Sequence, residues 1–247
     1  GGWMPGSYEE RFFNAKKYGF KAIEILGWTG VNFETARAAI DESGVELSAI
    51  LTQSKNPDIQ AKLNNTHGIV WEDLYDDYVT AMTETVEAAV KLNCKNVVAV
   101  TGNERSDVPR YTQHHNVIKT LSRVAPIAEK AGVTIVLEPL NILVDHKGYF
   151  LVTSTEGFDI IRSVGSPNVK LLFDVYHQQI SEGNVINNIR NNIDLIGHIH
   201  LGDVPGRNEP GTGEINYGFI FAELDRLGYA GWIGCEYKPK TTTTAGL

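Results

Sequence analysis

Four residues of this 247-residue chain have the types and spacing of a metal site: Glu138, Asp174, His200 and Glu236. Each closes a short apolar run, in T-I-V-L-E, K-L-L-F-D, I-G-H-I-H and W-I-G-C-E. Pro139 follows Glu138 and lacks the N–H that a ladder requires, so that run must end there. Three carboxylates and one imidazole form an oxygen-rich donor set suited to Mn2+ or Mg2+, with Co2+ or Zn2+ accommodated by substitution. Gathering so much negative charge without a cation would be unfavourable, so convergence of the four would itself argue for a metal. One acid at a strand end is more often solvated or caps a helix. Four in phase at successive strand ends are harder to explain that way.

Other residues around these four have chemical uses. His198 lies on the same side of its strand as His200, two residues deeper, and reads as a hydrogen-bonded core group or a support behind a ligand. His177, just past Asp174 in D-V-Y-H-Q-Q, is placed to hydrogen-bond a substrate oxygen. Arg207, in P-G-R-N-E-P, offers a planar fork for a carboxylate or phosphate, and an ion pair within its own loop to Glu209 or Glu214 is an equal alternative. Asn141 and Lys238, each shortly after one of the glutamates, are weaker candidates. Glu24 and Asp203 are further candidates for the site but carry no distinguishing feature. Cys235 alternates away from Glu236 and reads as packing. Gly211 and Gly213 serve loop geometry.

The elements that would position these groups recur along the chain as amphipathic helix, glycine, then apolar strand. Glycines 19, 44, 132, 165 and 228 stand where a helix must stop, and Asn93 takes that place once. Ser7 with Glu10 and Thr153 with Glu156 fit capping boxes. Strands are expected over 22–26, 46–51, 96–100, 133–138, 169–174, 195–201 and 232–236, aliphatic and β-branched as in parallel sheets buried on both faces. Helices between them imply right-handed crossovers. Units spaced by roughly 30 residues predict an α/β fold, a (β/α)8 TIM barrel of about 250 residues forming one domain over 1–247. A doubly wound open sheet would need a glycine-rich phosphate turn after its first strand, which the chain lacks. The first strand is absent or reduced to 1–6, and no helix pattern follows the last strand before the tail T-T-T-T-A-G-L. The chain therefore reads as a trimmed or processed form with open sheet edges. The connection 52–71, containing His67, is long enough to cover a site.

Composition narrows the function classes. A hydrophobic content of 42% supplies a substantial core, and a formal charge of -8 disfavours nucleic-acid binding, though not a small anionic or sugar-like substrate. Two cysteines without C-x-x-C spacing, Cys94 and Cys235, read as buried thiols of a reducing compartment. No apolar run approaches the roughly 20 residues that span a bilayer. The expected setting is the cytoplasm, with room for a removed N-terminal leader, and a homo-oligomer is compatible with the composition.

The segments V-L-E-P-L-N (136–141), L-L-F-D-V-Y-H-Q-Q (171–179), I-G-H-I-H-L-G-D-V-P-G-R-N-E-P-G-T-G-E-I-N-Y (196–217) and G-Y-A-G-W-I-G-C-E-Y-K-P (228–239) resemble the hydroxypyruvate isomerase family. That family sits among xylose isomerase-like barrels, beside ketose 3-epimerases and endonuclease IV. The resemblance implies a divalent metal held by Glu138, Asp174, His200 and Glu236, with Glu138 and Glu236 as the acid/base pair and His177 and Arg207 on substrate. It implies conversion of hydroxypyruvate to tartronate semialdehyde through an enediolate. At His200 the chain departs from some hydroxypyruvate isomerases, which carry glutamine there, and agrees with the ketose 3-epimerases. A 3-epimerase or 2-oxo-tetronate-type isomerase on the same site is the nearest alternative. A nuclease resembling endonuclease IV would need a histidine-rich multi-zinc site and a basic face, whereas the seven histidines here are scattered.

Overall fold

The computed structural model describes residues 4–64 and 66–242. The chain opens with α1 (Tyr8–Lys17) and β1 (Ala22–Ile23), then α2 (Phe33–Ser43), β2 (Glu46–Leu47), β3 (Ala49–Leu51) and α3 (Pro57–Lys62). Next come α4 (Tyr75–Leu92), β4 (Asn96–Ala99), α5 (Arg110–Ala131), β5 (Thr134–Leu137) and α6 (Ser154–Val164). The last third holds β6 (Val169–Asp174), α7 (Val175–Ser181), α8 (Val185–Asn192), β7 (Ile196–Leu201), α9 (Tyr217–Arg226) and β8 (Ile233–Cys235).

Local signals account for several boundaries. Ser7 accepts from the Glu10 N–H while Glu10 returns to the Ser7 N–H, a complete capping box. At α6 only half of the expected box forms: Thr153 accepts from Glu156 N–H, but the Glu156 carboxylate pairs with Arg110 and His114 instead. Asn93 ends α4 with φ 54°, the left-handed turn usually left to glycine.

All strands run parallel. β1 pairs with β2, and β3 to β8 form a six-stranded sheet in sequence order. The expected strand 46–51 is broken at Ser48, whose N–H and hydroxyl both bond Ile23 O. The run thus serves two neighbours, β1 through β2 and β4 through β3. These strands curl into a half-barrel, with the large core between sheet and helices. Among the described residues no ladder joins β8 to β1, consistent with the open edge expected from sequence. Residues 1–3 of the expected first-strand stub and 243–247 of the tail lie outside the described residues. Side chains cross the gap instead, including Trp232 Nε1 donating to Glu46 at 3.1 Å.

Inside the curve, Ala49, Val98, Val136 and Leu172 form a separate apolar floor. Alternation then fixes what lies above it: Glu138 is two residues beyond Val136, and Asp174 two beyond Leu172. Register extends the layer across β7, with Leu172 opposite His198 and Asp174 opposite His200.

Cys94 is buried as expected, but Cys235 is exposed, which corrects its reading as a packing residue. Alternation does turn it away from the interior, yet among the described residues no helix covers that outer face of β8. His67 packs its ring on Trp71 at 4.2 Å and contacts Thr66 and Asn64. Among the described residues no helix is long and apolar enough to cross a membrane.

Candidate metal centre

Glu138, Asp174, His200 and Glu236 each bring one ligand-type atom to a common point, all within 4.8 Å of one another. Their positions at or just past the ends of β5, β6, β7 and β8 follow from the alternation above. His200 Nδ1 lies 2.9 Å from Glu236 Oε2 and 3.7 Å from Glu138 Oε1. Nδ1 and Oε2 are both buried, and neither has an aligned hydrogen-bond partner. Electron-rich atoms this close with no proton aligned between them suit a shared cation, and the donor set fits an oxygen-preferring divalent metal.

Asp174 divides its two oxygens. Oδ1 caps α7 by accepting from the Tyr176 and His177 N–H groups, at 2.8 and 3.2 Å. Oδ2 faces the cluster, 3.4 Å from Arg207 Nη2 and 3.7 Å from His177 Nε2. Capping and convergence on the cluster, weighed as rivals from sequence, coexist in one side chain.

The protonation pattern shows a site short of positive charge. Burial, then the charge of Glu236, raises Asp174 to about 6. Burial raises Glu138 as well, against the pull of His200. Burial disfavours the His200 imidazolium, but Glu24, Glu138 and Glu236 outweigh it and raise that group. Burial also works to raise Glu236, yet His200 and Arg207 prevail and bring it to about 2.

His177 is fully buried, and burial lowers it to about 4, so the ring is neutral. Its Nδ1 accepts from the Asn141 backbone N–H at 3.1 Å and lies 2.8 Å from Asn141 Nδ2. The ring proton therefore sits on Nε2, which is buried without a partner and available to an incoming oxygen. Asn141 acts here through His177. Lys238 contributes backbone contacts, donating its N–H to Arg207 O and accepting from Asn208.

Arg207 makes neither of the intraloop ion pairs considered from sequence. Its Nη2 lies 2.8 Å from Glu236 Oε2, and the guanidinium stacks 4.9 Å from the Tyr176 ring. Glu209 instead accepts from the Lys240 N–H, and Glu214 from Gln179. The loop bearing Arg207 is organised by Asp203, fully buried, which accepts from four backbone N–H groups: Val204, Gly211, Gly213 and Ile215. Gly213 passes so close to Val204 that a Cβ would stand 2.0 Å from its carbonyl oxygen. Arg207 itself has φ 53°, a left-handed conformation costly for any residue with a Cβ but held by this loop.

Two contributors were named from sequence without any feature to single them out. Glu24, just past β1, sits 2.8 Å from His200 Nε2 and 3.4 Å from His198 Nε2, and the two histidines hold its carboxyl well below the usual range despite burial. In the sequence it stands in the middle of the apolar run 22–26, with nothing to mark it as a strand-end group. Asp203 had no signal beyond the glycine-rich loop that it ties.

Comparison with known proteins places this geometry in context. A family model described as xylose isomerase-like TIM barrel matches residues 12–247. The 2-oxo-tetronate isomerase of Cupriavidus necator is 34% identical over 241 residues, covering 98% of this chain and 91% of its own length. The hydroxypyruvate isomerase of Escherichia coli is 30% identical over 257 residues, covering 98% of this chain and 93% of its own. A solved structure described as AP endonuclease, family 2, from Brucella melitensis superposes with a TM-score of 0.88 at 26% identity, covering 98% of this chain and 92% of that one.

Proposed function

This chain belongs to the xylose isomerase-like TIM barrel family and is an isomerase like its curated relatives, and we propose that it interconverts aldehyde and ketone forms of a small hydroxy-carbonyl acid. Hydroxypyruvate and 2-oxo-tetronate, the compounds named for those relatives, share the necessary parts: a carbonyl beside a hydroxyl-bearing carbon, and a carboxylate. The observation that carries the reading is the placement of Glu138 and Glu236 on separate strands, both reaching His200 Nδ1, with Arg207 beside them.

A divalent cation held by Glu138, Asp174, His200 and Glu236, Mn2+ or Mg2+ on the donor set, supplies Lewis-acid stabilisation of the negative charge that builds on adjacent oxygens. One glutamate takes the proton from the hydroxyl-bearing carbon, giving an enediolate, the hydroxyl proton passes to the neighbouring oxygen, and the other glutamate delivers a proton to the neighbouring carbon, so that carbonyl and hydroxyl exchange places. His177 Nε2–H donates to a substrate oxygen. Arg207 holds the carboxylate through its planar fork, a role supported by its stacking on Tyr176, which limits its motion. A formal charge of -8 and an acidic mouth speak against a nucleic-acid partner.

The test is hydrogen exchange at the substrate carbon in deuterated water, using hydroxypyruvate with Mn2+. Glu138→Gln and Glu236→Gln should each abolish exchange, and exchange at the parent rate in either variant refutes the mechanism. Arg207→Ala should lose activity on acids at least tenfold. A ketose 3-epimerase is the second reading, favoured by histidine at position 200. It predicts turnover of neutral ketoses that survives Arg207→Ala.

A further inference from the structure

Beneath the cluster, Glu24 joins two histidines that are more than 170 residues away in the chain. Its Oε2 is 2.8 Å from His200 Nε2 and 3.4 Å from His198 Nε2, and the two rings meet edge-on at 4.9 Å. The side chain of His198 is fully buried and that of Glu24 is only 15% exposed. The space for this contact is kept by Gly234 of β8. A Cβ there would lie 2.8 Å from His200 Cδ2 and 3.1 Å from Glu24 Oε2.

A carboxylate has no proton to give, so its contact with His200 requires the proton to be on Nε2. With that proton kept on Nε2, Nδ1 is the nitrogen left to present a lone pair to a cation beside Glu138, Asp174 and Glu236, and it is buried there without a hydrogen-bond partner. The geometry points to Glu24 as a positioning residue: it holds His200 in the Nε2–H form, presents Nδ1 to the cation, and strengthens that nitrogen as a donor. His198, bonding the same oxygen, keeps the Glu24 carboxylate from turning away. This inference rests on the metal reading above.

Glu24, His198 and His200 are also close enough to form a cation site of their own. The Glu24–His200 contact is an aligned hydrogen bond and argues for a proton instead, whereas the contact of Nδ1 with Glu236 has no proton aligned in it.

The experiment measures Mn2+ binding calorimetrically for the parent protein and for Glu24→Gln and Glu24→Ala, with thermal unfolding as the check on folding. Nitrogen-15 histidine spectra of the Zn2+-loaded parent report the His200 tautomer without any substitution. One Mn2+ per chain, a loss of affinity of about 10- to 100-fold in folded Glu24→Gln, and an Nε2–H signal for His200 are expected. Affinity within twofold of the parent in folded variants overturns the assignment, as does an Nδ1–H His200 or a second Zn2+ lost on Glu24→Gln. If the variants do not fold, the tautomer in the parent decides. A parent that binds no Mn2+ sinks the metal reading together with this one, whereas parent-like binding by Glu24→Gln sinks this one alone.

Discussion

Replacing Asp203 by asparagine should separate substrate capture from metal binding. Asp203 Oδ1 accepts from Val204 and Ile215 at 2.9 and 3.1 Å, and Oδ2 from Gly211 and Gly213 at 2.8 and 2.9 Å. Asparagine can keep the first pair, but its amide then turns two N–H bonds toward two N–H donors. Each lost charge-assisted bond is worth about 1.5–3 kcal/mol, so the loop loses about 3–6 kcal/mol before water and rearrangement recover a part. A residual loss of about 2 kcal/mol corresponds to roughly 30-fold in the population of the ordered loop. Arg207 rides on that loop, its N–H bonded to Asp203 O at 2.9 Å, whereas the four clustered side chains Glu138, Asp174, His200 and Glu236 stand at or next to strand ends. The expected result for Asp203→Asn is a fall of roughly 30-fold in kcat/KM on hydroxypyruvate, mostly in KM, with Mn2+ affinity within about threefold of the parent. Steady-state kinetics and calorimetry on the same preparation measure both. An unchanged kcat/KM, or Mn2+ affinity falling in parallel with it, would refute the separation of roles.

Without metal, Asp174 titrates at about 6, raised by burial and then by Glu236, against an unfolded value near ~3.9. The metal-free protein holds the extra proton, so its stability should decline as pH rises from about 4 to about 6 and then level. Because a cation must displace that proton, and the raised His200 must also give up its Nδ1 proton, Mn2+ affinity should climb by up to about tenfold per pH unit for each proton through 6 and keep rising above it; calorimetry giving equal affinities at pH 5 and 7 would count against this. His177, lowered to about 4 by burial, stays neutral across that range and adds nothing to the slope. Gly234→Ala drives a methyl to 2.8 Å from the His200 ring and should weaken Mn2+ binding by about tenfold or more and lower the Tm, read by calorimetry and thermal unfolding. In the native protein Cys235 should react with a thiol reagent while Cys94 stays protected until unfolding, which mass spectrometry of the labelled peptides distinguishes.

Much of the centre could be read along the chain. A strand shows its two faces through alternation, and a helix end shows itself through a glycine, an asparagine or a capping serine, within a window of a few residues. Hence Glu138, Asp174, His200 and Glu236 could be aligned as strand-end groups before any coordinates, and Asn93 recognised as the left-handed stop of α4. Strand lengths were overdrawn by one residue at several ends and by three at the end of 22–26, where side-chain pattern continues after the ladder stops.

Partnership was decided elsewhere. Glu24 has no local mark separating it from any acid in a strand, and it matters because the curvature of the sheet brings β1 near β7. Arg207 had two carboxylates within its own loop, yet it meets Glu236 and Asp174 because Asp203 folds that loop back over the mouth. Cys235 alternates outward as its sequence dictates, but its exposure depends on what packs over β8. Alternation and capping are short-range and travel with the chain. Register, curvature and the choice among competing partners are set by contacts between distant segments, so only the tertiary structure resolves them.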